Sequence, residues 1–178
     1  TATAKPDVLA DIQSHFHESL GIEFKIFPGG HERTNLHFDV LPCAKAEKWA
    51  RTDGLLREHL DAQDGGAVVF VSSRKSAEEL SDFLIGQGWS CKHFHAGLEP
   101  NTKTDIQDDF KAGQLRIIVA TNAFGMGVDK ADIRLVVHAD IPGSLENYLQ
   151  EAGRAGRDQG DARCVLLYDP QDIETQFG

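Results

Sequence analysis

The stretch AVVFVSSRKSAEELSDFLIGQG, residues 67–88, decides the fold class of this chain. It begins with five consecutive apolar residues, which is the length and composition of a strand covered on both faces. In the polar part that follows, Ala77, Leu80 and Leu84 recur at helical spacing, and two glycines end the pattern. The stretch therefore predicts a buried strand followed by an amphipathic helix.

The same alternation recurs along the chain, with the short apolar runs CKHF, RIIVA, RLVVHA and CVLLY. Between the first two runs, Pro100 suits the first turn of a helix, Ile106 and Phe110 lie four residues apart, and Gly113 ends it. Continuous apolar strands that alternate with helices indicate an α/β domain, a three-layer parallel sheet with helices on both faces.

The N-terminal part extends this pattern. It predicts a helix over 6–18, strands at IEFKIF and LHFDVL, and a helix over about 44–60. No internal repeat, low-complexity tract or linker divides the 178 residues. We expect a single domain over 1–178.

Composition limits the possible functions. The formal net charge of −10 argues, as an average, against a nucleic-acid-binding surface, although a narrow basic groove can exist on an acidic protein. No run approaches the roughly 20 apolar residues of a membrane span, and no signal pattern opens the chain. We expect a soluble, cytoplasmic protein with no membrane partner.

The cysteines and histidines do not predict a metal site. Cys43, Cys91 and Cys164 are far apart and odd in number, which fits reduced thiols. His93 and His95 lie near Cys91, but a structural zinc site usually shows close-set ligand pairs such as CxxC, and none is present. We expect no metal ligand.

Polar residues follow each predicted strand, at the edge where open α/β sheets bind ligands. Hydroxyls, glycines and cations at one edge can bind an anion, although a serine here is also an ordinary helix cap and a glycine can simply serve a turn. The residues are Ser72, Ser73 and Arg74, then His95 and Gly97, then Thr121, and finally Asp140.

The loop TNAFGMGVDKAD, residues 121–132, has glycines on both sides of Met126 and charges of both signs at Asp129 and Lys130. Gly125 and Gly127 would let another group approach the backbone closely, but a lone GxG also occurs in flexible crossover loops. The loop is not a Walker A phosphate loop, which ends in GKS or GKT.

The segment LENYLQEAGRAGRDQG, residues 145–160, places two arginines among glycines. If a helix that starts near Ser144 continues, Gln150, Arg154 and Arg157 lie on one stripe. That stripe could be a solvated surface shared with acidic neighbours. Glycines inside a helix cost roughly 1 kcal/mol each, however, so we expect a second body to approach the backbone here.

Arginine is the residue suited to such an approach. Its guanidinium group binds phosphate oxygens in a planar, bidentate manner. An arginine supplied from outside a nucleotide site can also neutralise the charge that develops on a transferring γ-phosphoryl group. We expect Arg154 and Arg157 to face a bound nucleotide.

These segments resemble the motifs of a known family. ATNAFGMGVDKADIRLVVHADIP followed by YLQEAGRAGRD closely resembles motifs V and VI of the RecQ family of superfamily 2 DNA helicases. HFHAGLEPNTKTDIQDDF, VFVSSRKSAEEL and the initial TATA resemble the segment before motif V, motif IV and motif III of that family. DEAD-box RNA helicases usually carry a histidine-arginine-glycine arrangement in motif VI instead.

The resemblance implies a RecA-like second lobe of a two-lobed motor, with residues 1–20 leading in from the junction between lobes and 21–178 forming the lobe body. It implies ATP and Mg²⁺ as cofactors, held mainly by the first lobe, with single-stranded and duplex DNA as partners. By position, the catalytic residues would be Arg154, Arg157 and Gln150. The nucleotide would be bound by the same two arginines together with Gly127 and Asp129. The residues that contact DNA would be Ser73, Arg74 and Thr121.

Some features depart from the family pattern. The chain has no Walker A lysine and no DExH carboxylates, and HERTN stands where the family has an aspartate-arginine-proline-asparagine element. We therefore expect one lobe of a longer parent helicase, inactive as an ATPase alone and of 3′ to 5′ polarity by resemblance. A non-motor nucleic-acid-binding or regulatory module and an RNA helicase lobe are the alternatives.

Overall fold

The computed structural model describes residues 35–121, 130–143 and 145–169. The predicted helix over 6–18, the IEFKIF strand, Gly127 and Asp129 lie outside the described residues. Within these ranges, no helix has the length and apolarity that crossing a bilayer requires.

Six strands form one entirely parallel sheet in the order β1-β6-β5-β2-β4-β3 within the described ranges. The strands are β1 (Leu36–Pro42), β2 (Gly66–Phe70), β3 (Cys91–Phe94), β4 (Ile117–Ala120), β5 (Ile133–His138) and β6 (Ala162–Tyr168).

In the part of the chain that the structure describes, four α-helices lie between the strands, namely α1 (Lys48–Leu60), α2 (Arg74–Gly86), α3 (Pro100–Ala112) and α4 (Leu145–Ala152). A 3₁₀ turn, Lys45–Glu47, precedes α1, so the helix expected from about residue 44 begins with a tighter turn.

The core lies in two layers, one on each face of the sheet. On one face, α3 and α4 pack through residues such as Phe110 and Leu149. On the other face, α1 and α2 pack through residues such as Leu56 and Leu80. Successive strand residues alternate between the faces, so Val68 joins the first layer and Val69 the second. The expected three-layer α/β fold is confirmed.

Helix ends follow the predicted signals. Ala77, Leu80 and Leu84 are the buried face of α2. Gly88 has φ +97°, and the Trp89 N–H donates to the Leu84 carbonyl at 3.1 Å, which completes a Schellman ending. Local sequence thus sets where α2 stops, and the parallel sheet brings the polar ends of its elements to common edges.

Candidate functional site

Residues that follow four strands meet at the carboxyl edge of the sheet, as expected. Ser72 follows β2, His95 follows β3, Thr121 follows β4, and Asp140 lies just beyond β5. The Thr121 N–H donates to the Phe94 carbonyl at 3.3 Å, which holds the ends of β3 and β4 together.

Ser72 and Asp140 join the ends of β2 and β5. The Ser72 N–H and hydroxyl both donate to Asp140 Oδ2, at 2.8 and 3.0 Å. Lys48 at the start of α1 places its Nζ 3.8 Å from Asp140 Oδ1, with only 8% of its side chain exposed. Lys48 was not singled out from the sequence, since a lysine at a helix start gives no burial signal. The cluster fixes this edge against α1.

Ser73 caps α2. Its Oγ accepts a hydrogen bond from the Ser76 N–H at 3.1 Å and lies 2.9 Å from the Ser76 hydroxyl. The alternative interpretation of this serine as a helix cap is therefore correct, and the role expected at DNA is an additional one that stays a prediction. Arg74, the first residue of α2, is exposed.

His95 is buried and fully engaged beside Arg74. Its Nδ1 accepts from the Gly97 N–H at 3.0 Å, so Nε2 carries the proton and donates to Glu78 Oε2 at 2.8 Å. A β-carbon at position 97 would lie 3.1 Å from an Arg74 guanidinium nitrogen. Gly97 therefore leaves room for the arginine, which keeps a cation at the carboxyl edge.

Glu78, His93 and His95 are close enough to be considered as metal ligands, since their donor atoms lie within 4.8 Å of one another. A metal on His95 Nε2 would move the ring proton to Nδ1, where it would oppose the Gly97 N–H. The hydrogen bonds present therefore oppose metal binding at His95, which leaves two ligands.

The arginines lie in a turn, not on a helix. The prediction that the helix would carry Gln150, Arg154 and Arg157 on one stripe is wrong, because α4 ends at Ala152. We call residues 153–161 the arginine turn. The Gly156 N–H donates to the Ile133 carbonyl at 2.9 Å. This bond to the strand replaces the bond that would continue a helix.

Gly156 is required by the turn itself. Its φ is +58°, and a β-carbon there would lie 2.5 Å from Asn35 Nδ2 and 2.8 Å from the Gly160 carbonyl oxygen. We expected this glycine to let a second molecule or domain approach the backbone. That expectation is corrected, since the Asn35 side chain occupies the space beside Gly156.

Asn35 and Arg134 brace the arginine turn. Asn35 Nδ2 donates to the carbonyls of Gly156 and Gly160, at 2.7 and 2.9 Å. Arg134 donates to the Asp161 carbonyl at 3.0 Å and forms an ion pair with Asp158. Burial opposes ionisation of Asp158, but the Gly160 N–H and Arg134 outweigh it and hold the pKa of the Asp158 carboxyl below its usual value. The turn is therefore rigidly attached to the sheet.

The structure separates the predicted site residues into two groups. The Asp158 N–H donates to the Ala131 carbonyl at 3.1 Å, just before β5 begins, so the turn extends to the amino end of that strand. Five residue steps along β5 correspond to about 17 Å at about 3.3 Å per residue. Gln150 and Arg157 are exposed and Arg154 is half-buried. The Asp158 end of the arginine turn and the carboxyl edge thus lie at opposite ends of β5.

Sequence reasoning missed a buried polar pair between these surfaces. His138 Nε2 lies 3.0 Å from Glu151 Oε1, with side-chain exposures of 1% and 12%. Glu151 is one of the acidic neighbours that the sequence allowed to lie on a solvated surface. Its position three residues after Tyr148 and next to Ala152, both buried, is the helical spacing that could have identified it.

Comparison with known proteins identifies the family. The family described as "Helicase conserved C-terminal domain" matches residues 48–159. The chain is 38% identical, over 99% of its length, to "Putative ATP-dependent DNA helicase Q1" of Caenorhabditis briggsae. It is also 38% identical, over 99% of its length, to "ATP-dependent DNA helicase RecQ" of Bacillus subtilis. The chain spans 28% of the length of each of these relatives.

Solved structures agree on the fold. The chain is similar to Escherichia coli DEAD-box protein SrmB with a TM-score of 0.68 and 22% identity, covering 76% of this chain and 78% of that one. The C-terminal domain of the DEAD-box protein Dbp5 gives a TM-score of 0.65 and 20% identity, covering 79% of each chain. At these identities the likeness concerns the fold alone. The resemblance to RecQ helicases is confirmed, and this chain belongs to the helicase conserved C-terminal domain family.

Proposed function

We propose that this chain is the second motor lobe of an ATP-dependent DNA helicase, which couples ATP hydrolysis between two lobes to movement along single-stranded DNA and to duplex unwinding. The observation that carries the proposal is the presence of two distinct surfaces on one sheet. The arginine turn carries cations suited to phosphate, and the carboxyl edge carries Arg74, hydroxyls and the start of α2.

In this proposal, the arginine turn faces the nucleotide held by the first lobe. Arg154 and Arg157 bind the phosphates and neutralise the charge that develops on the γ-phosphoryl group, and Gln150 orients the reacting groups. Gly127 and Asp129 border the nucleotide. ATP with Mg²⁺, held mainly by the first lobe, supplies the phosphoryl group. Guanidinium groups on a braced turn fit such a ligand because they are planar donors that need little reordering.

The carboxyl edge is the proposed DNA surface. Ser73, Arg74 and Thr121 lie after β2 and β4 and would contact the DNA backbone. Arg74 supplies the positive charge, and the start of α2 adds its helix dipole. Closing and reopening of the two lobes would move these contacts along the DNA strand, with 3′ to 5′ polarity. Such a motor acts on single-stranded and duplex DNA in the cytoplasm, or in the nucleus of a eukaryote.

The test is single-stranded-DNA-stimulated ATP hydrolysis by the full-length parent protein with Arg154→Ala or Arg157→Ala. We expect turnover to fall roughly 10³-fold while nucleotide still binds, because the lost arginine acts on the transition state. Arg163→Ala is the matched control, since Arg163 on β6 is partly exposed and lies 3.5 Å from Asp39 on the neighbouring β1. Its turnover should match wild type.

Three results would reject the proposal. An inactive wild-type parent, or arginine variants with unchanged turnover, would favour a non-motor nucleic-acid-binding or regulatory module. Stimulation by RNA in preference to DNA would favour an RNA helicase lobe.

A further inference from the structure

His138 and Glu151 form a buried polar pair that the functions proposed above do not use. His138 is the last residue of β5, and Glu151 lies in the final turn of α4. The Glu151 carboxylate accepts only, so the His138 Nε2–H donates to it across 3.0 Å. Burial makes this bond consequential, because a buried carboxylate that loses its partner is strongly destabilised.

The surroundings leave His138 one polar partner in the described ranges. Its ring stacks on Phe70, with centroids 4.9 Å apart, and packs against Tyr148 at 4.7 Å. Its Nδ1 is buried and makes no hydrogen bond with any described residue. Two aromatic rings therefore hold the plane of the imidazole, and Glu151 sets the direction of its proton.

Each member of the pair lies close to one of the two proposed binding surfaces. The Glu151 carbonyl accepts from the Arg154 N–H at 3.4 Å, so Glu151 is bonded to the start of the arginine turn. Two residues after His138, Asp140 holds both donors of Ser72 at the carboxyl edge. The pair is thus a short connection between the residues proposed for DNA and those proposed for phosphate.

We propose that His138 and Glu151 are positioning residues that couple the carboxyl edge to the arginine turn, so that DNA bound at one surface aligns the guanidinium groups at the other. This inference rests on the proposed function. It adds the residues through which the two surfaces communicate.

The experiment measures ATP hydrolysis by the full-length parent with and without single-stranded DNA. Glu151→Ala removes the acceptor, and His138→Phe keeps the ring stacking but removes the donor. We expect the DNA-stimulated kcat to fall about 10- to 100-fold in both variants, as for a misplaced catalytic group. The KM for ATP and the Kd for DNA should change less than about twofold.

Conservative variants provide the rescue. Glu151→Gln still accepts from His138, and the side-chain amide in His138→Gln still donates to Glu151. Both should retain most of the stimulation. Glu58→Ala is the matched control, because Glu58 lies 3.8 Å from His59 in an exposed contact on α1.

A second control separates positioning from general stability. Leu56→Ala opens a cavity in the layer on the opposite face, under α1, and lowers the melting temperature without touching either surface. If Leu56→Ala loses stimulation as strongly as Glu151→Ala at equal loss of Tm, the pair is only structural. Unchanged stimulation in folded Glu151→Ala and His138→Phe would also overturn the proposal.

Amide hydrogen exchange gives a readout that needs no activity. The Gly156 and Asp158 N–H groups bond to Ile133 and Ala131, so their exchange reports how firmly the turn is held. Glu151→Ala should accelerate both amides relative to Leu56→Ala, and equal exchange would contradict the inference. If the wild-type parent proved inactive, the proposed function would fail, while faster exchange would still support Glu151 as the residue that places the turn.

Discussion

Single residues determine whether the arginine turn can form. Gly156 combines a left-handed backbone conformation with a space already filled by Asn35. Glycine alone meets both demands, since any β-carbon is strained at φ +58° and also collides with Asn35 Nδ2. A glycine beside an arginine was visible in the sequence. Its cause was not, because Asn35 lies 121 residues away along the chain.

Gly156→Ala should lower the free energy of unfolding by about 2 kcal/mol, the sum of backbone strain and collision. For a chain of this size that corresponds to a fall in Tm of about 6 °C. Thermal unfolding followed by circular dichroism would measure it.

Gly54→Ala is the matched control. Gly54 lies within α1, and a β-carbon there meets nothing within 4 Å. That variant should gain about 0.5–1 kcal/mol, because alanine is the better helix former. A Gly156→Ala protein as stable as wild type would show that the turn relaxes without cost.

At the scale of elements, the arginine turn is held by contacts with β5 rather than by helix propensity. Arg134 on β5 forms an ion pair with Asp158 and donates to the Asp161 carbonyl. Leu149 and Ala152 lie on the buried side of α4. The sequence did not show where this helix ends, because the chain after it bonds to a neighbouring strand.

This attachment should depend on pH. The pKa of Asp158 is lowered in the folded state, so its stabilisation is present above the unfolded value, about 3.9, and is lost as pH falls through the folded value. We expect wild type to exceed Asp158→Asn in stability at pH 7 and the two to converge below about pH 4. Urea unfolding at pH 7, 5 and 3 would measure the difference. A stability difference that stays constant over this range would contradict the assignment.

At the scale of the whole molecule, the net charge of −10 opposes binding to a polyanion. Arg74 supplies local positive charge at the carboxyl edge, but this chain alone offers only part of the proposed DNA surface. The structure thus combines a local cationic site with an acidic body.

The isolated chain should therefore bind single-stranded DNA weakly, with a Kd near 10⁻⁴ M at physiological salt. It should also turn over no ATP, since it lacks a Walker A lysine and DExH carboxylates. Fluorescence anisotropy with a labelled oligonucleotide at 50 and 200 mM salt, and phosphate release by the pure chain, would test both. A tight, salt-resistant complex, or turnover free of contaminating enzyme, would contradict this expectation.

The sequence alone determined the α/β class, the buried faces of α2 and α3 and the ends of several helices, because apolar periodicity and glycine stops act over a few residues. It also indicated the family, through the FGMG and QEAGRAGRD segments. Only the tertiary structure decided that the arginines lie in a turn, that Gly156 faces Asn35 and that Glu151 meets His138. Those outcomes depend on contacts between residues distant in the chain, which exist only once the strands have paired.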